Sequence, residues 1–187
     1  MSSLLLRVSL TALFTIAVAL TSAVPIGASN EPARVIIVDA CDPATFNAAI
    51  GPGSCRGNGD VTFAEFIATL QADRSIDDWA FDPGQVDVVA GTPVVAQNIG
   101  GETHTFTKVA AFGPGFVPPL NLLVFGVAGP PIPEFQPPFG PNINFVPSGG
   151  TLTLASGPGT QLVLGQNRIQ CGIHPWMRTV INVRSGD

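Results

Sequence analysis

The segment Gln170-Cys171-Gly172-Ile173-His174-Pro175-Trp176-Met177-Arg178 places a thiol, an imidazole and a thioether within seven residues. All three groups bind copper. The chain holds one further histidine, His104, and Met177 is its only methionine after the initiator. Two histidines, a thiolate and a weak axial methionine make up the trigonal donor set of copper electron-transfer sites. Thiolate and thioether suit the reduced ion and imidazole suits both states, so a fixed ligand set lets the ion change charge with little rearrangement. Zinc also takes a thiolate and two imidazoles, but a structural zinc site completes its shell with cysteine or histidine. There is no HisxHis pair to build a three-copper oxygen site, and the late loop has a single cysteine where a binuclear centre needs more. With no position left open for a substrate, the expectation is a carrier rather than an enzyme.

The cysteine count leads to the same loop. Three cysteines leave one over if the chain matures where thiols pair. Cys41 and Cys55 lie close together in the Gly/Pro-rich stretch DACDPATFNAAIGPGSCRG, and closing that loop stabilises by about 3 kcal/mol on the chain-entropy model. Other pairings stay open on sequence grounds, but a Cys41–Cys55 bridge leaves Cys171 as the free thiol beside a histidine and a methionine.

An export signal supports that compartment. Arg7 follows the start, an apolar run spans residues 8 to 20, and small residues lead to Ala23 or Ala28. Thr11, Thr15 and Thr21 dilute the run, which favours cleavage over anchoring. Residues 1–28 are therefore expected to be a signal peptide, and the mature chain to be secreted or periplasmic. No second long apolar span follows, so no membrane span is expected in the mature chain.

Composition narrows the remaining classes. Apolar residues make up 45% of the 187 and charged residues 11%, with 21 Gly and 18 Pro, a balance suited to a turn-rich β domain. Eight basic residues against thirteen acidic, with Lys108 the single lysine, leave no basic stripe to neutralise phosphates. Nucleic acid is not an expected partner.

Positioning the donors requires strands. Residues 29–75 read as a helical appendage: Asp42-Pro43 starts one helix, and the capping box Thr62-Phe63-Ala64-Glu65 starts another that ends near Asp73. Phe63, Phe66, Ile67 and Leu70 share a face of the second, and this face is expected to pack on the rest of the chain. From Trp79 the period becomes two, through Phe81, Val86 and Val88, followed by Val94–Ala96 and a strand over 103–109. A Pro/Gly-rich excursion over 113–147, long enough to hold a small helix or an extra strand, precedes strands over 151–154, 162–164, 168–171 and 179–183. Seven or eight short strands over residues 76–187 predict a mainly β fold, a β-sandwich. A strand ending at Cys171 and resuming after Met177 curls the intervening loop so that its donors converge.

The stretches WAFDPGQVDVVAGTPVVAQNIGGETHTFT and QCGIHPWMRTVINV, spanning about 110 residues, resemble the cupredoxins, the type 1 blue copper proteins, especially amicyanin-like and plastocyanin-like members. The resemblance implies a Greek-key sandwich with one copper ion held by His104, Cys171, His174 and Met177. It also implies single-electron exchange with redox protein partners through the exposed edge of His174, by a monomer. Two departures stand out. Many cupredoxins place asparagine after the first histidine to brace the loop, and here Thr105 stands there. The Pro-rich excursion alters the surface beside the site. The competing readings are a copper-binding module for storage or delivery, and a structural domain that has kept the fold.

Other signals have plainer explanations. Gly57–Phe66 is similar to the end of a calcium-binding EF-hand loop, but Ser54 and Arg56 occupy the places of its first acidic ligands, and the capping box explains Glu65. Trp176 reads either as a wall of the port around His174 or as packing, and PPIPEFQPPFGP as an extended loop. Arg178 is assigned no role.

Overall fold

The computed structural model describes residues 31–139 and 143–186. The expected signal peptide, residues 1–28, lies outside the described residues. In chain order the elements are β1 (Ala33–Val38), α1 (Pro43–Ala49), α2 (Phe63–Asp73), β2 (Ala80–Asp82), β3 (Gln85–Val89), β4 (Val94–Asn98), β5 (His104–Thr105) and β6 (Thr107–Val109). They are followed by α3 (Pro118–Phe125), β7 (Phe145–Val146), β8 (Thr151–Leu154), β9 (Gly165–Gln170) and β10 (Arg178–Arg184).

The expected β-sandwich is what forms. One sheet has the order β2-β1-β4-β8, the other β3-β10-β9-β6, and β5 with β7 makes a short separate ribbon. The β1–β4 and β3–β10 pairs are parallel and the other pairs antiparallel. Alternation sends Val35 and Ile37 of β1, Val94 and Ala96 of β4, and Ile181 and Val183 of β10 into one apolar core.

The expectation that the segment before residue 76 is helical is corrected at its start. Ala33–Val38 is a strand lying between β2 and β4, its alternating Val35 and Ile37 fully buried. The two helices do form where the sequence places them. Asp42 accepts hydrogen bonds from the Ala44 and Thr45 backbone N–H groups at the start of α1. Thr62 and Glu65 form the reciprocal capping box of α2. Phe66 and Leu70 bury the inner face of α2, and Phe46, Phe63, Phe66 and Trp79 pack ring against ring. Cys41 and Cys55 are joined in a disulfide that ties the end of β1 to the loop after α1.

Two further differences bear on the site. The single strand expected over 103–109 is broken at Phe106, so that β5 pairs with β7 and β6 pairs with β9. The fully buried Phe106 occupies the break and donates its N–H to the Asn144 carbonyl. Residues 162–164 are not a strand, contributing only an isolated bridge between Ser156 and Leu162. The excursion holds both a helix, α3, and an extra strand, β7.

Candidate metal centre

Strands β9 and β10 are antiparallel neighbours, with Gln170 opposite Arg178, and the loop 171–177 joins their ends. The loop is closed by its own backbone: Cys171 N–H donates to the Met177 carbonyl at 3.1 Å, and Met177 N–H to the His174 carbonyl at 2.9 Å. Arg178 has a role after all, since its Nε donates to the Pro175 carbonyl at 2.8 Å while its guanidinium lies over the Phe112 ring. Gly172 is required beneath the loop: a Cβ there would stand 2.9 Å from the Phe135 ring, inside contact distance.

This curl brings the loop donors to His104 of β5. Cys171 Sγ lies 3.9 Å from His104 Nδ1 and 3.9 Å from His174 Nδ1, and the two nitrogens are 3.2 Å apart. The centre of a triangle with these sides is about 2.1 Å from every corner, within the range of metal–imidazole and metal–thiolate bonds. The three residues are buried and form the candidate metal-binding group of the described residues. Met177, also buried, ends the same loop.

The sulfur is fixed by the backbone around it. Thr105 N–H and His174 N–H point to Cys171 Sγ at 3.4 and 3.5 Å. The Thr105 hydroxyl accepts the Gly172 N–H at 2.7 Å, bracing the loop from β5.

Each imidazole meets a carboxylate on its far side. His104 Nε2 donates to Asp39 Oδ2 at 2.9 Å, and both side chains are wholly buried. Asp39 also accepts from the N–H groups of Gly101, Glu102 and Cys41. Gly101 must be glycine for this, because a Cβ would stand 2.6 Å from Cys41 Sγ. On the other side, Glu102 Oε2 lies 3.5 Å from His174 Nε2.

The exposed edge expected for His174 is corrected. The residue is 2% exposed, enclosed by Phe66 of α2, Trp176 and Glu102. Of these, Phe66 comes from the helical segment, Trp176 from the late loop itself and Glu102 from the turn before β5. A groove of about 420 Å³, lined chiefly by apolar residues of α1, α2 and α3, ends at Glu102 and His174.

Protonation follows this arrangement. Burial alone would depress His104, but its hydrogen bonds to Asp39 and Cys171 outweigh that and raise its pKa to about 9. Burial alone would raise the Cys171 thiol, but the two histidines hold it well below its ordinary value. Asp39 is likewise held low, burial being outweighed by the bonds from His104 and Glu102. A thiolate beside protonated imidazole is the charge state of a site that releases protons as it takes up a cation.

Asp39, Glu102 and the bracing role of Thr105 were not predicted from sequence. Asp39 stands sixty-five residues from the histidine it holds, with no local pattern to mark it. Glu102 had one signal: it is two residues before His104.

No protein-family model matches the chain, and no curated protein matches it. Among solved structures it is similar to a novel purple cupredoxin from Nitrosopumilus maritimus, with 15% identity over 81% of this chain and 99% of that one, and a TM-score of 0.42. It is also similar to a plastocyanin from Dryopteris crassirhizoma, with 15% identity over 81% and 100% of the two chains and a TM-score of 0.38. The oxidized state of a proline-to-alanine mutant of amicyanin gives 17% identity over 59% and 78%, and a TM-score of 0.37. With these TM-scores below 0.5, the functional reading rests on the site itself.

Proposed function

We propose that this chain is a type 1 copper protein that carries single electrons between redox proteins outside the cytoplasm, as a monomer and without catalysing a reaction of its own. The observation that carries this reading is the convergence of Cys171 Sγ with the two Nδ1 atoms in a triangle of metal-site dimensions. His104, Cys171 and His174 would hold the ion, with the buried Met177 at the end of the same loop as a candidate for a further, weak sulfur donor. When bound, copper supplies the Cu(II)/Cu(I) couple. The protein's part is to keep the donors still: Asp39 orients His104, Thr105 braces Gly172, and two N–H groups face the sulfur.

Burial of the whole donor set disfavours the storage or delivery reading, which needs ready exchange. Export is supported by the apolar run before Ala23 and by the disulfide. No helix of the described residues is long and apolar enough to cross a membrane.

Adding Cu(II) to the purified mature protein is expected to produce an intense thiolate-to-copper absorption band that Cys171→Ser abolishes. A wild-type protein without that band overturns the reading. A bound ion that a strong chelator strips within seconds would favour delivery instead.

A further inference from the structure

Glu102 is held at its backbone and at one carboxylate oxygen. Its N–H donates to Asp39 at 3.0 Å, and its carbonyl accepts from Asn98 Nδ2 at 2.8 Å. Its Oε2 accepts the Trp79 indole N–H at 2.7 Å and lies 3.5 Å from His174 Nε2. The residue is 7% exposed. A carboxylate so fixed faces the late-loop imidazole, placing a buried acidic group against a candidate ligand. The Trp79–Glu102 bond also links the aromatic cluster of α1 and α2 to the metal centre.

We propose that Glu102 is a positioning residue acting through His174. It holds the ring with Nε2–H outward and Nδ1 toward Cys171, and its charge favours the more highly charged state of a bound metal ion. The orientation follows from the geometry: Glu102 Oε2, which as a carboxylate oxygen only accepts, faces His174 Nε2 at 3.5 Å and so favours the proton there, while Nδ1 lies 3.9 Å from Cys171 Sγ and 3.2 Å from His104 Nδ1. The charge effect follows from burial, since a carboxylate in a medium of low dielectric acts strongly on a charge nearby. This inference rests on the copper reading of the same site, so its test has a part that needs no copper.

In the metal-free protein, nitrogen NMR of 15N-histidine-labelled material reads the ring tautomer. Wild type is expected to hold His174 as the Nε2–H form, and Glu102→Ala to mix the two tautomers. Glu102→Gln, which keeps an acceptor for Trp79, is expected to retain the tautomer and the fold. With copper bound, Glu102→Gln should keep the thiolate band but raise the Cu(I)/Cu(II) ratio at a fixed potential about tenfold, some 59 mV for one electron. A wild-type His174 carrying its proton on Nδ1 overturns the positioning role. A Glu102→Gln midpoint equal to that of wild type overturns the charge effect and leaves only the positioning role, which the tautomer measurement decides. If wild-type protein takes up no copper, the electron-carrier reading falls, and the tautomer measurement still decides whether Glu102 positions His174.

Discussion

The late loop and the framework around His104 reach the same point in space by different routes. Cys171 and His174 come from one turn of chain, closed by backbone bonds to and from Met177 and flanked by paired residues of β9 and β10. His104 comes from a two-residue strand and is oriented by Asp39, sixty-five residues away, which also gathers the N–H groups of Gly101 and Glu102. A local loop needs few outside contacts to keep its shape. A ligand on a short strand depends on distant residues, and damage to those should act on the site without touching a donor.

The largest test of that contrast is Asp39→Ala. Removing one partner of a buried pair leaves His104 uncompensated, which should cost about 3–5 kcal/mol in denaturant unfolding of the metal-free protein. Copper affinity should fall about 10- to 100-fold in a competition titration. The same residue sets an acid limb. Its folded-state pKa lies below the ordinary value of 3.8, so its contribution is complete above about pH 3.8 and is lost as pH falls through the lowered value. A thermal-unfolding series down to pH 2 should show that limb in wild type and not in Asp39→Ala. A variant as stable as wild type would mean that the framework does not need its carboxylate.

The disulfide comes next. Replacing Cys41 and Cys55 together by alanine should cost about 3 kcal/mol. The released segment bears Asp39 two residues from the bridge, so copper binding should weaken with it while the loop 171–177 keeps its hydrogen-exchange protection.

Thr105→Val probes the seam between the halves. It removes the acceptor of the buried Gly172 N–H, and should cost about 1–3 kcal/mol. The thiolate band should shift in wavelength, because the brace on the residue after Cys171 is gone. An unchanged spectrum would show the loop to be independent of β5.

Thr62→Ala is the smallest change. Loss of the α2 cap should lower stability by about 1 kcal/mol and leave the copper spectrum untouched. A spectral change would show that the start of α2 also positions the site.

This division also explains what could be read in the sequence. The loop motif was legible because its residues are adjacent, and the caps of α1 and α2 because capping is a matter of three or four positions. The break at Phe106 was not, since THTFTKV alternates well enough for one strand and only the competing partners β7 and β9 divide it. Ala33–Val38 was missed for a related reason: its partners lie in β2 and β4, far along the chain. The enclosure of His174 could not be read from the late loop, because it depends on Phe66 of α2 and on Glu102 from the turn before β5.

The disulfide has a consequence for the third cysteine. Cys41 and Cys55 are separated by 14 residues, whereas either would have to close a loop roughly eight to nine times longer to reach Cys171. Ring-closure statistics, which fall as the three-halves power of loop length, favour the short ring by about 25-fold. The order of synthesis adds to this, for both partners of the short ring precede the third thiol by more than a hundred positions. Chain connectivity thus acts as a chaperone for the one sulfur that has to stay unoxidised.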